Sequence, residues 1–403
     1  MTDGAAARPF WYLRSGDAIR ALACLGIVVM HTSIGALFVT GRLEGAGGNQ
    51  TWSNAWGEGG QMLLRTAASG FYVFFVLSGF LVAAPFVCAF VEQRPLPRLW
   101  PYFRNRALRL LPAAWVLFAF VLVRHGTRDA SWTELLAMFW FLDDHVDHPL
   151  SSLVGQTWTL RVDLAFYVFV PLTAFLALRS LGSRLGMAGR RRAVWVGAGV
   201  VVLFALLLAS VLPDTMAARR SPLLLLCLFM PGVALAAALA GRSTRRAPRR
   251  IGSISAALSL AGLAILAGIP RTELPLAAGL VIVGVGAGMA LGGVVLLETT
   301  AGRCWRWTTC RPARWVGKRT YGLYLWHLAL MSELYVLVDG AGGPTTTYVI
   351  LLPLVVVSSC GVAALSYRFV ERPAMQLRHG FGGRPKVVEE VPVPAVSGAA
   401  STA

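Results

Sequence analysis

The stretch DAIRALACLGIVVMHTS, residues 17–33, decides how the chain is read. An apolar run long enough to enter a bilayer opens on Arg20 and carries His31 near its middle. Ionisable groups inside a spanning helix are costly and face a cavity or a partner, so each is a functional candidate. At about 100° per residue, the separation from Arg20 to His31 amounts to about three full turns, which puts both on one face roughly 16 Å apart. Asp17, Cys24, Ile27 and Val28 share that stripe. Arg20 then sits at the cytoplasmic headgroup level and His31 near the midplane. The plainer reading gives Arg20 to the positive-inside rule and His31 to one interhelical hydrogen bond. The functional reading rests on a neutral imidazole being donor and acceptor at once and exchanging protons near neutral pH.

The rest of the chain requires the same solvent. Hydrophobic residues make up 56% and charged residues 14% of 403, with a mean hydropathy of +0.63, far more apolar than a soluble domain. Apolar stretches of spanning length recur at about 21–40, 67–91, 108–124, 160–178, 193–212, 222–241, 251–269, 275–298, 320–338 and 346–367. The net charge of +18 does not point to nucleic acid, because no basic segment is interleaved with aromatics on a soluble fold. Instead, 29 of the 37 basic residues fall at alternate connections, as the positive-inside rule requires with both termini cytoplasmic. The acidic run DDHVDH, residues 143–148, falls outside. These patterns predict an all-α protein of about ten transmembrane helices in the plasma membrane.

Three parts are expected along the chain: a cytoplasmic segment over 1–18, a membrane domain over 19–375, and a disordered tail over 376–403 rich in Pro, Val, Ala and Ser. The first span has no convincing cleavage site and is read as an anchor; no soluble catalytic domain is expected beyond the membrane domain. The six cysteines form no CxxC pair, so neither a disulfide nor a metal site is implied.

Further polar clusters enter the membrane. In YFRNRALRLLP, residues 102–112, Arg106 and Arg109 share a helix face. Their guanidinium forks suit phosphate oxygens, with lipid headgroups as the alternative partner. In GQTWTLRVDLAFY, residues 155–167, Asp163 lies one to two turns into the span, flanked by Trp158 and Tyr167. A lone buried carboxylate needs a partner; in the structural reading Arg161 snorkels to the surface or pairs with it, and in the functional one Asp163 orients an imidazole or substrate hydroxyl. Ser78 and Gly79 are small residues suited to close helix packing. In GKRTYGLYLWHLAL, residues 317–330, Tyr321, Tyr324 and His327 share a face, which makes His327 a second embedded histidine. In YRFVERPAM, residues 367–375, Glu371 is spaced to pair with Arg368.

The order RALACLGIVVMH, FFVLSGFLV, RNRALRLLP, QTWTLRVDLAFY, RTYGLYLWH and FVERP, from about Arg20 to Pro373, resembles the acyltransferase 3 family. Its members are multi-spanning proteins that move acyl groups from cytoplasmic acyl-CoA to hydroxyls of sugars or secondary metabolites. The family's arginine, ten residues, then histidine fall on Arg20 and His31, and its RxxR on Arg106 and Arg109. The resemblance implies that His31 takes the proton of an acceptor hydroxyl, either in direct transfer or by way of an acyl-enzyme. It implies that Arg20, Arg106 and Arg109 hold the phosphates of acyl-CoA, with Asp163 as a second catalytic group. Trp158, Tyr321, His327, Glu371 and Ser78 would support the site or the substrate.

The chain departs from the family where Asp163 replaces the usual glutamate, drawing the carboxylate back by about 1.5 Å, one C–C bond, and where Thr320-Tyr321 stands for Ser-Tyr. No tightly bound cofactor is expected. Acetyl-CoA is the expected co-substrate, and a cell-envelope saccharide or glycolipid the expected acceptor, with a macrolide-like metabolite as the alternative. A transporter or flippase is the reading from another class: ten spans with midplane histidines suit one. Against it, no internal repeat is evident and the polar residues concentrate in the first four spans and the cytoplasmic half.

Overall fold

The computed structural model describes residues 10–42, 56–142, 148–213, 215–241, 250–268 and 274–377. The acidic residues of DDHVDH, Arg271, most of the 242–250 connection and the tail beyond 377 lie outside the described residues. Every regular element among the described residues is helical, as a bilayer demands of a chain that must satisfy its backbone internally. Helices α1 (Gly16–Val39), α2 (Gly70–Glu92), α3 (Leu99–His125), α4 (Trp158–Leu181) and α5 (Met187–Val211) take up the first five apolar stretches. After a 3₁₀ turn at Leu226–Phe229 come α6 (Met230–Leu239), α7 (Ile251–Gly268), α8 (Leu276–Ala301), α9 (Thr320–Leu334) and α10 (Pro344–Ser366).

Among the described residues, nine helical segments are long and apolar enough to cross a membrane. The stretch at 320–338 is the exception: its helix α9 has 15 residues and is closed by a 3₁₀ turn at Tyr335–Leu337. It is short because it lies within the bundle, packed on α1, α3 and α10, where an early helix end meets protein instead of lipid. α10 continues through a π-helical turn at Tyr367–Glu371, a distortion that redirects one side chain.

The buried axis is α2, whose side chains from Phe75 to Val91 are almost all buried against α1, α4, α6 and α8. Lipid tails give helices no hydrophobic reason to associate, so small residues supply close van der Waals contact. A Cβ on Gly232 would stand 2.0 Å from the Val76 carbonyl oxygen, and one on Gly79 2.2 Å from that of Phe229. Near the end of α8 Glu298 accepts hydrogen bonds from the backbone N–H of Arg14 and from both Ser15 N–H, at 3.2 Å, and Ser15 Oγ, at 2.6 Å. That carboxylate fastens the start of α1 to α8.

Gly232→Val is expected to overpack the α2–α6 crossing and cost about 1–3 kcal/mol, read as a lower Tm in detergent. Gly199→Val, whose Cβ would meet nothing within 4 Å, serves as the control and is expected to stay within about 0.5 kcal/mol of wild type. Equal Tm values would remove the crossing as a determinant of the fold.

Candidate active site

Five helices line a cavity of about 130 Å³. α1 contributes Arg20 and Ile27, α2 Phe71 to Val82, α3 Arg106 and Arg109, and α4 Thr159, Asp163 and Tyr167; Tyr321 and Tyr324 of α9 complete the wall. The lining on α2 alone runs for about 16 Å along the helix axis, away from the arginines. The structure thus brings together Arg20, Ser78, Arg106, Arg109, Asp163 and Tyr321.

The cationic end is built from local geometry. Arg20 is held by Asp17 one turn away, at 3.2 Å, and faces the charges of Arg109 and Arg106. Arg106 lies 5.0 Å from the centroid of the Tyr167 ring and 5.8 Å from that of Tyr102, contacts that fix a guanidinium without neutralising it. Three guanidinium groups gathered at one end of the cavity suit a polyanion.

Asp163 lies within hydrogen-bonding reach of Ser78 and faces Arg106 and Arg109. Its Oδ1 has no protein partner. Of the two structural options for Arg161, pairing with Asp163 is not taken: the side chain turns away and donates to the carbonyls of Phe141, at 3.2 Å, and Arg220, at 3.4 Å. The reason is helical: positions i and i+2 project about 200° apart. Ser78, expected to pack, faces the cavity, while its neighbour Gly79 makes the helix crossing. Glu371 does not pair with Arg368. The π turn swings it inward to Ser366 Oγ, at 3.2 Å, and toward Arg109 and Arg319, while Arg368 lies over the Phe369 ring.

His31 is one turn of α1 beyond Ile27, outside the lined volume. Its Nδ1 lies 2.8 Å from Nε2 of His327, the two rings stacked at 5.0 Å. His327 is fully buried, and its Nδ1 lies 2.6 Å from the Tyr324 carbonyl oxygen. A carbonyl only accepts, so His327 Nδ1 carries the proton and its Nε2 is the acceptor. His31 therefore donates from Nδ1 and keeps a lone pair on Nε2. Two residues far apart in sequence fix one tautomer.

Gln156, Thr159, Tyr324 and Arg220 also contribute, although the sequence assigned them no role. Tyr324 Oη bonds Thr159 Oγ1, at 3.0 Å, and the Gln156 carbonyl, at 3.1 Å, while the Gln156 amide donates to the Leu325 carbonyl. This network ties the outer end of α4 to α9 and so holds the His327 ring. Trp158 does not line the cavity; it packs edge-on to Phe71 and carries the Arg220 guanidinium at 5.2 Å from its ring centroid. Arg220 is close enough for its charge to act on His31. Tyr321 Oη bonds the Leu110 carbonyl at 2.6 Å. The quoted motif QTWT carried a signal for Gln156 and Thr159, whereas nothing in the sequence marked Arg220.

Nitrogen-15 spectra of histidine-labelled protein are expected to show protonated Nδ1 in both His31 and His327, with both Nε2 atoms unprotonated. A protonated Nε2 on His31 would contradict the assigned tautomer.

Comparison with known proteins gives the chain's relatives. The curated "Putative peptidoglycan O-acetyltransferase YrhL" of Bacillus subtilis is 25% identical over 399 residues, covering 90% of this chain and 55% of its own. The peptidoglycan O-acetyltransferase OatA of Listeria monocytogenes is 21% identical over 407 residues, covering 90% and 56%. The chain spans about half the length of these relatives. No solved structure matches. A family model described as an acyltransferase domain matches residues 14–368, nearly the whole membrane domain, and the chain belongs to that acyltransferase 3 family of multi-pass membrane proteins.

Proposed function

We propose that the chain is a membrane O-acetyltransferase that moves the acetyl group of acetyl-CoA to a hydroxyl of a cell-envelope saccharide. The observation that carries this reading is the alignment of a cationic cavity mouth, formed by Arg20, Arg106 and Arg109, with a histidine pair of fixed tautomer farther along the same helix. The names of the peptidoglycan O-acetyltransferase relatives support an acetyl group and a saccharide acceptor.

In this reading the arginines hold the phosphates of coenzyme A as charge-assisted hydrogen bonds, and the pantetheine arm extends inward past Ser78. The free Oδ1 of Asp163 accepts a hydrogen bond from an N–H or O–H of the bound substrates. His31 Nε2 takes the acceptor's proton as the hydroxyl oxygen attacks the thioester carbonyl. A carbon–oxygen bond forms, the carbon–sulfur bond breaks, and the proton passes from the imidazolium to the departing thiolate. His327 hydrogen-bonds Nδ1 throughout, which steadies the ring as it becomes charged.

Release of coenzyme A thiol by purified protein, offered acetyl-CoA and saccharide acceptors, tests the proposal. Acceptor-dependent release is expected, and His31→Ala should lower it by about 10²–10⁴-fold while thermal stabilisation by coenzyme A persists. Arg106→Gln with Arg109→Gln should abolish that stabilisation. Equal thiol release by wild type and His31→Ala would overturn the role of His31. Absence of coenzyme A binding by the wild type would overturn the donor.

A further inference from the structure

A second cavity, of about 300 Å³, lies behind the reaction site and is more apolar. α4 and α5 are joined by a tight turn yet splay apart: each packs on α2, not on the other. The wedge between them is floored by Phe86, Val87 and Phe90 of α2, with Phe169 and Thr173 on one side and Gly197 on the other. Leu172 and Leu176 on α4, and Val196 and Val200 on α5, are exposed, so both walls continue into a lipid-facing surface.

At the cytoplasmic apex stands Arg190, 6% exposed. Its donors go to the carbonyls of Val91, at 2.9 Å, Gly182, at 3.0 Å, and Leu185. No carboxylate among the described residues lies within ion-pairing distance of it. Glu92, at the adjacent end of α2, is taken up by Arg94, at 2.7 Å, and the Gly241 N–H, at 3.0 Å. Arg191 spends one donor on the Ala240 carbonyl while its Nε has no partner, and Arg184 and Arg192 are exposed beside it. An apolar wedge in the cytoplasmic leaflet thus ends at a cluster of guanidinium groups whose charge no carboxylate among the described residues balances. Carbonyl oxygens satisfy hydrogen bonds but leave the net charge in place.

We propose that the wedge binds an anionic glycerophospholipid, one acyl chain lying against α2 and the phosphate at the arginines of the α4–α5 turn. Charge complementarity selects an anionic headgroup over a zwitterionic one. The lipid chain lies along α4 beyond Asp163 and Tyr167, against Val170 and Ala174, which continue the helix face that lines the reaction cavity.

The full-length protein, reconstituted in nanodiscs of phosphatidylcholine or of an equal mixture with phosphatidylglycerol and then released into mild detergent, is analysed by native mass spectrometry. Wild type is expected to retain phosphatidylglycerol in preference to phosphatidylcholine. Arg184→Gln with Arg192→Gln should weaken that retention on the order of tenfold. Gly197→Trp should block the chain site; Gly197→Leu is the milder variant, since a Cβ there meets open space. Gly199→Leu, outside the wedge, should retain lipid as wild type does. Equal retention of the two lipids by wild type, or full retention by Gly197→Leu, would overturn the proposal.

Discussion

The hydrogen bond from His31 Nδ1 to His327 Nε2, 2.8 Å long, is the interaction on which the arrangement of this protein turns. It joins α1 to α9 inside the bundle, where a polar group without a partner would cost several kcal/mol. Interhelical hydrogen bonds in membranes contribute only about 0.6–2 kcal/mol each. Its importance is therefore positional more than energetic. The Tyr324 carbonyl orders the His327 proton, the Gln156–Thr159–Tyr324 network anchors that turn to α4, and a lone pair is left on one nitrogen of His31.

Around that pair the membrane sorts the remaining polar groups by depth. Arg20, Arg106 and Arg109 gather at one end of the cavity, where their heads stay within reach of water or anions. The same ordering explains why α2 is so deeply buried. It separates the polar cavity, through Ser78 and Val82, from the apolar wedge, through Phe86 and Val87. A helix serving two cavities must pack without gaps, and the glycines at 79 and 232 let α6 close on it.

The cationic end of the site was legible in the sequence because helical spacing is local: Arg20 to His31, and Arg106 to Arg109, share faces whatever else the chain does. Apolar length marked the helices equally well, except at α9, whose brevity reflects burial within protein. What the sequence could not convey was pairing between distant elements. His31 and His327 were each visible as embedded histidines, but nothing local shows that residues 296 positions apart meet. Expectations of local pairing failed for the complementary reason. Arg161 sits on the wrong side of α4 to reach Asp163, and a π turn that no spacing rule anticipates takes Glu371 away from Arg368. Gln156 lay inside a recognised motif, yet its role emerges only from its contact with α9.

If His327 works through His31, the two must act as one unit in turnover. The most direct measurement is a double-mutant cycle on acceptor-dependent coenzyme A release, with His31→Ala, His327→Ala and the double variant compared by kcat/KM. The predicted result is strong non-additivity: His327→Ala slows the wild type but slows His31→Ala no further. Effects that multiply, or a His327→Ala variant as fast as wild type, would contradict the assignment of the pair as a single proton-handling device.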